Sequence, residues 1–163
     1  METNVVITTN YFRKMKIEEE IKQKKFESNY QKAHLNIMFT ANWLMDKSKL
    51  LFKGFGITLQ QYNVLRILKG KHPSSCAAGD IKEVMLDKSP DLTRLIDRLM
   101  EKGYVTRGVC VENRRKLDIA ITDKGLALIK KIDPKIKVQF EQIRKITDKE
   151  AIGLSRILDK MRE

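Results

Sequence analysis

The chain has 163 residues, 42% of them hydrophobic and 33% charged, a balance that supports a packed core and argues against disorder. Thirty-three Lys and Arg against 21 Asp and Glu leave a formal charge of +12, which favours a polyanionic partner. No run of 18 apolar residues suits a spanning helix, Met1–Ile7 lacks the pattern of a secretory signal, and two cysteines do not make a disulfide framework, so the expected address is cytoplasmic.

In chain order, residues 1–13 read as an extended arm and 14–27 as a charged, weakly helical stretch. From Tyr30, apolar residues recur at helical spacing (Ala33, Ile37, Met38, Ala41, Leu44, Met45), and Gly54 is the expected left-handed stop. Thr58 with Gln61 is a capping-box signature for a second helix that turns Leu59, Tyr62, Leu65 and Leu68 inward, closed by Gly70 and Pro73. A short third helix covers about 77–86, with Ile81, Val84 and Met85 as its apolar residues.

A fourth helix follows the turn Asp87-Lys88-Ser89, with Ser89 as the expected cap and Pro90 at the first helical position. Leu92, Leu95, Ile96 and Leu99 share one face of it; Asp91, Arg94, Asp97, Arg98 and Glu101 share the other, and Gly103 ends it. Two strands are then expected, 104–111 and 117–121, around a tip that reads Glu112-Asn113-Arg114-Arg115-Lys116. A long helix rich in Leu, Ile and Lys starts at Thr122. Asp133-Pro134 either kinks it or caps a fresh one. Thr147 with Glu150 is another capping box, before a last apolar stripe of Ile152, Leu154, Ile157, Leu158 and Met161.

The expected fold is therefore mainly α with a small β-hairpin wing: a winged helix-turn-helix lobe plus a helical dimerisation region. A charged helix beside a cation-tipped hairpin suits duplex DNA. The helix fits a major groove about 12 Å wide, and the tip reaches the neighbouring minor groove. The competing readings are a salt-bridged, solvated helix face and an ordinary basic turn. Lys82 and Lys88 fit phosphate contacts and a plain surface role about equally.

From Gly56 to Leu128 the chain resembles the MarR family of bacterial transcription regulators. The resemblance rests on four pieces in the family's order: Gly56-Ile57-Thr58-Leu59-Gln60-Gln61-Tyr62-Asn63-Val64-Leu65; Thr93-Arg94-Leu95-Ile96-Asp97-Arg98-Leu99; Gly103-Tyr104-Val105; and Asn113-Arg114-Arg115 with Ile121-Thr122-Asp123-Lys124-Gly125. It implies a homodimer with interlocked terminal helices, a recognition helix in the major groove and a wing arginine in the minor groove. Mapped here, Thr93 and Arg94 would meet bases or phosphates, and Arg115 would be the probe. Two departures stand out. Asn113 replaces the family's usual wing aspartate and cannot form an ion pair with a neighbouring arginine, and Pro90-Asp91 stands where small hydroxyl residues are frequent. Asp91 there either accepts from a cytosine amine or favours the positive end of the helix.

The resemblance divides the chain into an N-terminal arm and dimerisation helix (1–28), a first long helix (29–54), a winged DNA-binding domain (55–122) and C-terminal dimerisation helices (123–163). The expected DNA-binding set is Ser89, Pro90, Asp91, Thr93, Arg94, Arg98, Asn113, Arg114, Arg115 and Lys116. The expected partners are double-stranded DNA, a second copy of the chain and a small aromatic effector. Trp43, Met38, Met45, Phe52, Phe55 and Tyr62 form an aromatic and sulfur-rich zone that reads first as core or dimer contact. No catalytic set, phosphate loop or cofactor motif is present, and His34 and His72 are not spaced as metal ligands. Cys76 or Cys110 is an oxidation sensor or a bystander, with Cys110 nearer the wing. The alternative function is a winged-helix protein that serves as a protein-interaction module or small-molecule carrier without binding DNA.

Overall fold

A computed structural model describes residues 16–89, 91–109 and 117–163. The chain divides into two compact units, one up to Ser48 and one from Lys49. In the first, α1 (Ile17–Glu20) is a single turn, shorter than the helical reading of 14–27, and it buries Ile17. The Glu18 carboxylate pairs with Lys32, whose ammonium also lies 5.8 Å from the centre of the Phe26 ring. Helix α2 (Asn29–Lys53) begins where the Gln31 amide donates to Ser28 Oγ (3.0 Å).

In the second unit, α2 ends in a Schellman motif: Gly56 N–H donates to the Lys53 carbonyl and Ile57 N–H to that of Phe52. The left-handed residue is Gly56 (φ 67°), not Gly54 as expected, because the chain runs two residues further before it turns. Helix α3 (Leu59–Lys71) carries the expected capping box: Gln61 N–H donates to Thr58 Oγ1 (3.1 Å), and Thr58 N–H donates to Gln61 Oε1 (3.0 Å). A two-residue strand, β1 (Cys76–Ala77), precedes α4 (Ala78–Val84) and shortens the third helix from its expected start. Val84 faces outward rather than into the core, since α4 ends there and only Ile81 and Met85 turn inward.

Helix α5 (Leu92–Glu101) leads into β2 (Val105–Val109), β3 (Leu117–Ile121), α6 (Asp123–Ile143) and α7 (Asp148–Lys160). The strands form an antiparallel sheet in the order β1-β3-β2, with Arg107 opposite Ile119 and Cys76 on the other side of Ile119. The mainly helical winged helix-turn-helix architecture is the one expected. Leu65, Leu68, Ile81, Ile96, Leu99, Ile119, Ile129 and Ile132 are fully buried in one core. Each of these large side chains contributes about 1.5–3 kcal/mol relative to exposure.

Thr122 caps α6 by accepting from Gly125 N–H (3.1 Å). The helix runs through Pro134 without a fresh start, so the capping alternative at Asp133 is wrong. Asp133 is occupied elsewhere: its carboxylate accepts from Tyr62 Oη (2.8 Å) and Lys69 Nζ (3.0 Å) on α3 and lies 3.5 Å from Arg66. The second capping box, Thr147 with Glu150, starts α7 as expected. Among the described residues, no helix is long and apolar enough to cross a membrane.

Candidate nucleic-acid interface

The exposed face of α5 is organised from its first turn. Asp91 is the cap: its Oδ1 accepts from Arg94 N–H (3.3 Å), and its carbonyl accepts from Leu95 N–H (3.1 Å). This corrects the assignment of the cap to Ser89. Ser89 gives both its amide (3.0 Å) and its hydroxyl (2.5 Å) to Asp87 Oδ1, which leaves it turned back into the preceding turn. Those bonds hold the Asp87 carboxyl below its ordinary range. The cap sets the Asp91 carboxylate at the helix's positive end, one of the two roles expected of it. Pro90 lies outside the described residues.

Leu92, Ile96 and Leu99 anchor α5 in the core, which turns Thr93, Arg94, Asp97 and Arg98 to the surface. The salt-bridged alternative for this face holds for Asp97, but not within the helix. Asp97 does not pair with an arginine of its own helix; its carboxylate pairs with Arg107 of β2 at 2.8 Å. Neither Arg94 nor Arg98 has an ion-pair partner among the described residues. Two cations and a hydroxyl are thus presented outward, as recognition of phosphate oxygens and base edges requires.

The turn before α5 is braced by Asn63 of α3, whose Oδ1 accepts from Leu86 N–H (3.1 Å). After α5, a second Schellman motif reverses the chain. Gly103 (φ 70°) donates to the Met100 carbonyl (2.8 Å), and Tyr104 donates to that of Leu99 (2.9 Å). Thr122 then binds this corner twice, giving its hydroxyl to the Gly103 carbonyl (2.8 Å) and its amide to that of Tyr104 (3.1 Å). Lys124 adds a bond to the Lys102 carbonyl (2.8 Å) and sits 5.3 Å from the Tyr104 ring centre. Strand β2 is thereby fixed directly against α5.

The β2–β3 ladder continues as far as Val109 opposite Leu117. Asn113, Arg114, Arg115 and Lys116, together with Cys110, lie outside the described residues. Lys82 and Lys88 are exposed. Cys76 is buried on β1, and burial, aided by Asp80, pushes its thiol pKa up, an environment that disfavours the reactive thiolate.

Arg107 and Asn63 were not among the expected site residues. Arg107 carried a signal in its spacing: two residues from the buried Val105, it falls on the inward side of the strand, where a cation requires a partner. Asn63 carried none, because its role depends on a turn 23 residues away.

The sequence pattern of the MarR family matches residues 55–116. A MarR transcription factor from Planctomyces limnophilus is 34% identical in sequence, over 83% of this chain and 98% of its own, with a TM-score of 0.64. The MepR–DNA complex of S. aureus shares the fold at 21% identity, covering 84% of this chain and 97% of that one, with a TM-score of 0.69. Among curated relatives, the HTH-type transcriptional regulator PapX of Escherichia coli is 26% identical over 89 residues, 55% of this chain and 54% of PapX. The chain spans about half the length of the curated relatives it matches.

Proposed function

The chain belongs to the MarR family, and on that footing we propose that it binds double-stranded DNA as a homodimer and regulates transcription, most simply by repressing a promoter. The observation that carries this reading is the outward face of α5, where Thr93, Arg94 and Arg98 stand clear of the ion pair that occupies Asp97. Residues 55–122 would form the DNA-binding domain, while 1–54 and 123–163 would supply dimerisation. Ser89, Pro90 and Asp91 would lie at the helix's groove-facing end. Asn113, Arg114, Arg115 and Lys116 would form the wing tip, with Arg115 in the minor groove. Narrow A·T-rich minor grooves attract such a cation most strongly.

Dimerisation is supported by apolar side chains left open in a single copy. Met38, Leu44 and Met45 on α2 are exposed, and so are Ile152, Leu154 and Ile157 on α7 and Met161 just after it. Two-fold symmetry would place half-sites about one helical turn apart, roughly 10 bp between centres. Release by a small aromatic effector belongs to the same reading and rests on the family resemblance. An effector that prefers the splayed dimer would weaken DNA binding by about 1–3 kcal/mol of coupling.

Selection of bound fragments from random duplex DNA, followed by sequencing, tests the proposal. Enrichment of inverted half-sites at that spacing is expected; recovery of unenriched sequence would contradict it. On the selected duplex, Arg94→Ala should cost about 1–3 kcal/mol, with the loss concentrated at one base position if Arg94 reads a base.

A further inference from the structure

We propose that Arg107, whose guanidinium is turned to α5, sets DNA affinity by withholding the Asp97 carboxylate from Arg94. The inference rests on the DNA-binding reading and deepens it. Arg94 and Asp97 are three residues apart on α5, the spacing at which an arginine and an aspartate meet on a helix surface. Left to itself, Asp97 would draw Arg94 sideways across the helix and set a negative charge before incoming phosphates. In the structure that does not occur, because the Arg107 guanidinium takes the carboxylate at 2.8 Å.

The pair is built to persist. Arg107 is held in register opposite Ile119, which is fully buried at the centre of the sheet. Its side chain is 24% exposed against 49% for that of Asp97, so the guanidinium is tucked beneath the helix while the carboxylate lies nearer the surface. The corner at Gly103 and Tyr104, bound by Thr122, fixes where β2 starts relative to the end of α5. Arg107 is thus a positioning residue, acting on DNA through Asp97 and Arg94.

The test is fluorescence anisotropy of the full chain on the labelled duplex recovered by selection. R107M keeps the aliphatic stem but removes the charge, and should weaken binding roughly five- to tenfold, the lower range for loss of one contact. D97N should bind at least as tightly as wild type, and D97N/R107M should recover to within about twofold of it, the two changes being coupled. R94A should cost a smaller factor in the R107M background than in wild type, because Arg94 is already diverted there.

Equal factors in the two backgrounds would overturn the inference, as would wild-type binding by R107M. A D97N chain as weak as R107M would also overturn it, by showing that the link acts through geometry and not charge. If R107M does not fold, D97N alone decides: binding at least as tight as wild type is expected, and binding about fivefold or more weaker than wild type would overturn the inference. A wild-type chain that binds no duplex would overturn the DNA reading itself, and this inference with it.

Discussion

At Gly125 the start of α6 comes so near the sheet that a side chain has no room. A Cβ there would lie 2.3 Å from the Tyr104 carbonyl oxygen and 2.7 Å from Ile121 Cγ1. Backbone on one side and a buried isoleucine on the other leave little to relax. Gly125→Ala should therefore destabilise the fold by about 1–3 kcal/mol, read as a lower midpoint in chemical denaturation. Gly125 was legible in the sequence as part of a motif, but its reason was not, since the crowding arises between segments that meet only after folding. The same holds for Asp133, which reads locally as a helix cap beside a proline and in the structure is the acceptor joining α6 to α3.

That acceptor makes stability depend on pH at both extremes. Burial works against the charged form of Asp133, yet Tyr62, Lys69 and Arg66 outweigh it and hold its pKa below the ordinary carboxylate value. Its contribution is complete above the unfolded pKa and is lost as pH falls through the lowered folded one. Tyr62 behaves oppositely: burial and the neighbouring carboxylate push its pKa up to about 12, because both disfavour the phenolate. Its contribution is complete below the ordinary tyrosine value of 10.0 and is lost as pH rises from there to about 12. Denaturation midpoints measured across pH should fall in both windows. In Tyr62→Phe the alkaline fall should shrink, whereas an unchanged alkaline limb would place the titrating group elsewhere.

Among the elements, those with local chemistry were the readable ones. Thr58 with Gln61, Thr147 with Glu150 and Thr122 all start helices where the sequence places them, because a cap uses groups only three residues apart. Strand β1 was hidden: its two residues acquire their form only from pairing with β3. The cap of α5 misled for a related reason. Ser89 and Asp91 are both competent acceptors, and the choice turns on Asp87, which captures Ser89 first. Asp91→Ala should accordingly cost about 1 kcal/mol of stability, and Ser89→Ala distinctly less. Thermal denaturation of the two variants decides the assignment, and the reverse order would return the cap to Ser89.

For the whole molecule, the single chain leaves apolar surface that a second copy would cover. Ile152 and Ile157 on α7 are 72% and 55% exposed, which is costly for side chains of that size unless they are covered in solution. Ile152→Lys with Ile157→Lys should convert a dimer to a monomer by light scattering and weaken operator binding with it. A dimer of unaltered stability would put the interface elsewhere.

The central claim, that cations of α5 and the wing grip duplex DNA, is tested most directly by salt. Contact with roughly 6–10 phosphates predicts that affinity for the selected duplex falls about 10³–10⁵-fold between 50 and 200 mM salt. An affinity that stays level across that range would contradict the account and favour a winged fold used for protein or small-molecule binding.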